Sequence, residues 1–160
     1  MEEMLSAYAE AVRAKDVEAF VGLYADDVRT FDLWAVWSYD GKDALREMAA
    51  EWFGSLGDGE VVAVRFDDVR IQAGDDVAAV SAFTTYANVS PDGSEQRSMN
   101  NRLTWVLRKT DDGAWKVVHE HTSAPIDFET SKAILTGGSR SGGSARRAAA
   151  GRAGAPSSAS

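Results

Sequence analysis

The chain predicts an α+β fold, three N-terminal helices packed on a mostly antiparallel sheet, on three observations. Apolar residues recur at helical spacing up to Leu56, the pattern switches to period two from Glu60, and the period-two runs are parted by clusters of Gly, Pro and Asp.

The first helix is predicted over residues 4–14, because Met4, Leu5, Tyr8, Ala11 and Val12 share one face. Lys15-Asp16 breaks it, and Asp16 is placed to cap a second helix over residues 17–24, with Glu18 in the first turn where the helix dipole favours an acid. Asp26-Asp27 reads as a polar stop before a first strand over residues 28–36 and a loop over 37–41. A third helix over residues 42–56 carries the stripe Leu45, Met48, Ala49, Trp52 and Phe53. Strands over 61–73, 77–88, 95–109 and 114–124 follow, closed by Gly74-Asp75-Asp76, Ser90-Pro91-Asp92-Gly93 and Asp111-Asp112-Gly113. Glycine supplies positive φ and Asp an Asx turn at such breaks, so three consecutive hairpins are expected. Beyond Phe128 the pattern decays into a Gly/Ser/Ala/Arg stretch with almost nothing to bury. The expected organisation is a domain over residues 1–128 and an unstructured tail over 129–160.

Composition narrows the function classes. With 160 residues and 44% hydrophobic content the chain suits one domain with a real core. No apolar run approaches the roughly 20 residues of a membrane span, and the acidic start Met1-Glu2-Glu3 is unlike a secretory signal. The absence of cysteine excludes disulfides and thiolate chemistry and agrees with a cytoplasmic, reducing setting. The net charge of −8 hides an asymmetry: residues 132–160 hold 5 bases and no acid, so residues 1–131 carry 12 bases against 25 acids, or −13. So acidic a domain repels a phosphate backbone, and nucleic acid is not an expected partner.

Two stretches carry candidate chemistry. Asp32 sits between Phe31 and Leu33-Trp34. A carboxylate inside an apolar strand is costly to bury unless hydrogen-bonded or raised in pKa, which makes it a candidate acid/base group, although a strand-end Asp facing water fits the same residues. In the last strand, Val118, Glu120 and Thr122 share one parity and Val117, His119, His121 and Ser123 the other. A three-residue turn with Gly113 left-handed pairs Thr104 with Glu120 and Arg102 with Thr122, and so gathers Arg102, Thr104, Val106, Val118, Glu120 and Thr122 on one face; a turn one residue shorter reverses the pairing. Glu120 then lies near Arg102, as an ion pair or as a proton-transfer group. His119-x-His121 spacing suits a metal, but no third ligand stands nearby, and no metal or cofactor is expected. Trp34, Trp37, Trp52 and Tyr86 are candidate walls for a flat apolar ligand, and equally natural core.

The run D-V-E-A-F-V-G-L-Y-A-D-D-V-R-T-F-D, which ends at Asp32, resembles the second helix and first strand of ketosteroid isomerases and of the wider NTF2-like superfamily with its SnoaL-like branch. The ending W-K-V-V-H-E-H-T-S-A-P is similar to the last strand of the association domain of calcium/calmodulin-dependent protein kinase. With the element order, the resemblance covers residues 1–128. It implies a cone-shaped NTF2-like (cystatin-like) fold whose helices close over a strongly bent sheet. It further implies that Asp32 holds the place of the isomerases' catalytic base and Tyr8 that of their oxyanion-hole tyrosine, and that the Val118 and Thr122 positions face the cavity. The convex face, taken to carry Leu103, Trp105, Leu107, His119 and His121, would then form a homodimer interface; were the faces reversed, His121 would become the best general base. The resemblance has gaps. Thr104 or Trp105 stands where the isomerases have a second, protonated acid, and Thr122 where the association domain has an arginine. The resulting expectation is a small-molecule-binding protein, an isomerase, cyclase or dehydratase using Asp32 for proton transfer on a hydrophobic carbonyl compound, with a non-catalytic binding or assembly module as the alternative.

Overall fold

A computed structural model describes residues 1–137. The tail expected to be unstructured falls, from residue 138 onward, outside the described residues. Helix α1 (Glu2–Ala14) buries Leu5, Tyr8, Ala11 and Val12 and ends where Lys15 turns left-handed at φ 56°. The Asp16 side chain accepts from Ala19 N at 2.9 Å and so caps α2 (Val17–Val21). That helix is shorter than expected, because strand β1 (Tyr24–Phe31) already begins at Tyr24.

Asp26 and Asp27, read as a stop, are exposed residues within β1. The chain bulges outward there: β1 lies parallel to the last strand, β6 (Trp115–Ser123), and the register jumps from Tyr24↔Val117 to Arg29↔His119, five residues against two. The acids meet Lys42 Nζ at 2.6 Å and Arg108 at 2.8 Å. After Phe31 the chain leaves the sheet and Ala35 takes φ 59°; Tyr39–Asp40 then returns as a short strand, β2, in what was expected to be loop.

Helix α3 (Lys42–Gly54) follows, and then the meander β3 (Val61–Ala73), β4 (Val77–Val89), β5 (Glu95–Lys109) and β6. Strand order is β2-β1-β6-β5-β4-β3. Three helices on one face of a mixed, mostly antiparallel sheet make the expected α+β architecture, and the parallel β1–β6 pair brings the two candidate stretches side by side.

The β5–β6 turn forms as the sequence predicts. Gly113 has φ 83°, its N–H donates to Thr110 O at 2.8 Å, and Lys109 pairs with Trp115. The pairing then departs from expectation. Leu107 pairs with Val117 but Val106 pairs with His119, so Val118 is an extra residue in β6. Beyond this bulge Trp105 opposes Glu120 and Leu103 opposes Thr122, while Arg102 and Thr104 oppose Ser123 and His121. One additional residue has exchanged the faces of β5 relative to β6. Leu103, Trp105 and Leu107, expected outside, lie in the core at 2%, 1% and 0% exposure.

Past the end of β6 the chain folds back. Ile126 bridges Ala133, and Asn100 N donates to Leu135 O at 2.7 Å, so residues 133–137 take up the β5 edge that β6 has left. Residues 129–137, expected to belong to the tail, are thereby tied to the sheet.

Candidate functional site

The concave face of the sheet follows from strand alternation. On β6, Glu120 and Thr122 point inward; on β5, Asn101, Leu103 and Trp105; on β4, Val80, Ala82, Thr84 and Tyr86; on β1, Thr30. Above this face lies an aromatic layer. Tyr8 packs on Phe20, Phe66 and Trp105 with ring centroids 5.2, 5.9 and 5.6 Å apart, and Trp52 meets Phe20 at 6.4 Å and Tyr86 at 6.0 Å. The Tyr8 and Tyr86 hydroxyls are 2.9 Å apart. Both hydroxyls, and that of Tyr24, are held above the ordinary tyrosine range chiefly by burial.

Glu120 is the buried carboxyl of this face, 6% exposed. Its Oε2 accepts from Tyr24 Oη at 2.7 Å and from Trp105 Nε1 at 2.6 Å. Burial pushes its pKa up to about 7; the two donors oppose this and the charge of Asp32 adds to it. With both donors on Oε2, the proton of the neutral acid belongs on Oε1. The expected Arg102 partner is elsewhere. Arg102 is exposed on the outer face, where its Nε donates to Ser123 Oγ at 3.2 Å.

Asp32 directly follows β1 and is half-buried. Its Oδ1 accepts from Thr122 Oγ1 at 2.8 Å and from Leu33 N at 2.7 Å, and Leu33 N also approaches Thr122 Oγ1 at 2.8 Å. Thr122 is itself only 5% exposed, so β6 carries both the buried acid and the residue that holds Asp32 in place.

The structure therefore gathers Asp32, Glu120, Thr122, Tyr8, Tyr86 and Trp52 about the concave side, and leaves other expected residues outside. Thr104 is exposed on the outer face with Arg102, a direct result of the Val118 bulge, and Val118 itself is half-buried at that bulge. Trp34 and Trp37 stand on the loop after β1 at 50% and 96% exposure, because the chain leaves the sheet before reaching them. Trp105, expected on a dimer-forming convex face, is instead the inner partner of Glu120. His119 and His121 lie outside with Phe31, at ring distances of 4.9 and 5.8 Å, and His119 Nδ1 donates to Arg29 O at 2.8 Å. Without Leu103, Trp105 and Leu107, that outer face shows Arg102, Thr104 and His121 to solvent. Among the described residues no group of three or more His, Asp or Glu is placed to hold a metal ion. No helix there is long and apolar enough to cross a membrane.

The SnoaL-like domain matches residues 1–127, which span the three helices and the six-stranded sheet. The chain belongs to the SnoaL-like family. It is similar to an NTF2-like protein of unknown function from Pseudomonas putida KT2440, with 28% identity, 84% of this chain and 90% of that one covered, and a TM-score of 0.73. It is similar also to a provisionally assigned aromatic ring hydroxylase from Novosphingobium aromaticivorans, at 22% identity over 76% of this chain and 84% of that one, TM-score 0.63. A provisionally assigned calcium/calmodulin-dependent protein kinase II association domain from Xanthomonas campestris matches at 18% identity over 78% and 84%, TM-score 0.61. These last two share the fold. No curated protein matches the chain.

Several polar residues of this SnoaL-like interior escaped the sequence reading. Tyr24, placed at the end of the second helix, and Trp105, placed on the convex face, are the donors to Glu120. Thr30, Thr84 and Asn101 are buried, and Thr30 Oγ1, Thr84 Oγ1 and Asn101 Oδ1 have no hydrogen-bond partner among the described residues. The signal for Trp105 was present in the alternation Leu103, Trp105, Leu107, a stripe too apolar to face water.

Proposed function

We propose that this SnoaL-like protein binds a small hydrophobic carbonyl compound on its concave face and moves a proton there, with Asp32 as base and Glu120 as acid, in an isomerase, cyclase or dehydratase reaction. The observation that carries this reading is the pair itself: two carboxyls on one concave face in contrasting surroundings. Glu120 is enclosed, raised to about 7 and bonded through one oxygen, whereas Asp32 is half-buried and steadied by Thr122. Carboxyls in surroundings this different can divide acid and base roles, the enclosed one holding the proton to be given. Tyr8 and Tyr86, joined by their hydroxyls, supply a neutral donor for charge developing on a carbonyl oxygen. A site of this kind needs no cofactor.

The filling of the cone by Tyr8, Phe20, Trp52 and Trp105 favours a second reading, ligand binding without chemistry. One experiment separates the two. Cyclic ketones are incubated with the protein in deuterium oxide, and α-proton exchange is followed by NMR. The proposal predicts catalysed exchange that Asp32→Asn slows by about 100-fold. Exchange at full rate in that variant overturns the role of Asp32, and saturable binding with no exchange in the wild type supports the second reading.

A further inference from the structure

In an Asp-Gly pair the glycine nitrogen can attack the carboxyl before it, because no Cβ obstructs the closing ring. The chain holds four such pairs, Asp40-Gly41, Asp58-Gly59, Asp92-Gly93 and Asp112-Gly113. As dipeptides they are equivalent, and the fold sets them apart.

Three of them are fixed at both reacting atoms. In the β4–β5 and β5–β6 hairpins the Asp stands third in a turn and the Gly fourth, so the glycine N–H closes the turn. Gly93 N donates to Ser90 O at 2.9 Å, and Gly113 N to Thr110 O at 2.8 Å. The carboxylates close Asx turns in their own right. Asp92 Oδ1 accepts from Ser94 N at 2.9 Å and Ser90 Oγ at 2.6 Å, and Asp112 Oδ1 from Ala114 N at 3.3 Å and from Thr110 Oγ1. At the third pair Gly41 N donates to Val28 O at 2.7 Å, while Asp40 meets Arg29 Nε at 3.1 Å and Ser38 Oγ at 2.9 Å. Ring closure at these sites must first break a hydrogen bond on the nucleophile and others on the carboxyl.

Asp58-Gly59, in the link between α3 and β3, stands one place earlier in its turn. Glu60 N donates to Gly57 O at 3.1 Å, which makes Asp58 and Gly59 the two central residues. The N–H of the second central residue takes no part in closing a turn, and Gly59 N has no partner among the described residues. The exposed Asp58 carboxylate has none there either. The acid that ties this turn together is Glu60, whose Oε2 accepts from Gly57 N at 3.2 Å.

We propose that Asp58 is a modification site, the position at which the folded protein converts aspartate to isoaspartate. Gly59 N bonds to Asp58 Cγ, and the carboxyl hydroxyl leaves with the amide proton as water to give a succinimide. Water then adds at the former main-chain carbonyl and breaks its bond to Gly59 N, so that the chain runs through Cγ and the old carbonyl carbon becomes an exposed carboxylate. Water is the only co-reactant, and the mass is unchanged.

The test ages the full chain at neutral pH, folded in buffer and in parallel unfolded in urea. Isoaspartate is counted in peptides with an isoaspartyl methyltransferase and labelled S-adenosylmethionine, and is located by electron-transfer fragmentation. In urea the four sites are expected to react at similar rates. In the folded chain Asp58 leads each of the others by about tenfold or more, the cost of opening the hydrogen bonds that hold them. Asp58→Glu, which keeps the charge but closes a ring far less readily, removes that signal while the chain stays folded by circular dichroism. Equal rates at the four sites in the folded chain, Asp58 silent there while it reacts in urea, or a signal that survives Asp58→Glu overturns the proposal.

Discussion

Glu120 is a carboxyl whose surroundings favour its neutral form, and this ties stability to pH with a definite sign. Its folded pKa of about 7 stands above the ordinary 4.5, so the contribution is complete below the ordinary value and is lost as pH rises to 7. The loss is on the order of 3 kcal/mol at 1.36 kcal/mol for each pKa unit. Glu120→Gln keeps an oxygen for Tyr24 and Trp105 and has no proton to lose. Denaturant unfolding across this range is expected to show the wild type falling relative to the variant as pH rises; parallel curves would contradict the assignment. Asp32 was legible as a candidate because its apolar neighbours made it conspicuous. Tyr24 and Trp105 were not, because an aromatic side chain gives no sign in sequence that its polar end has a buried partner.

Among the elements, the extra residue in β6 decides which side chains meet. The hairpin turn with Gly113 was legible from its own residues, and the first three pairs after it follow the predicted register. The bulge at Val118 was not, since inserting one residue leaves no local mark. Its trace lay in the apolar stripe Leu103, Trp105 and Leu107, which the turn-set pairing put on the convex face as a dimer interface and which the bulge instead turns into the core. Deleting Val118 should restore the turn-set register, bringing either Glu120 out of its donors or Trp105 out of the core. Either route costs more than about 4 kcal/mol by thermal or denaturant unfolding, because a one-residue slip reverses an entire face. Retention of near-wild-type stability in the deletion would show that the bulge does not set the register. β1 teaches the same lesson: Asp26 and Asp27 read as a break, yet a bulge turns them outward to Lys42 and Arg108 without ending the strand.

For the molecule as a whole, order of elements and layer arrangement were legible, because helical and strand periodicities are local and the hairpins connect sequential strands. Closure was less so. The parallel β1–β6 pair joins residues about ninety positions apart, and only that pairing sets Thr122 against Asp32. The helices are held over the sheet by the aromatic layer, with Phe20 at its centre against Tyr8, Tyr24, Trp52 and Phe53. Phe20→Ala should cost about 3–5 kcal/mol in denaturant unfolding and loosen the site along with the core. A loss below about 1 kcal/mol would show that the layer is not the frame.

The proposed acid role of Glu120 depends on a proton held near neutrality beside the charge of Asp32. A pH titration of the glutamate carboxyl carbons by carbon-13 NMR, in the wild type and in Asp32→Asn, observes that proton directly. The predicted result is a midpoint near 7 for Glu120 that moves down when Asp32 loses its charge. A midpoint in the ordinary carboxylate range, unchanged by the substitution, would contradict it.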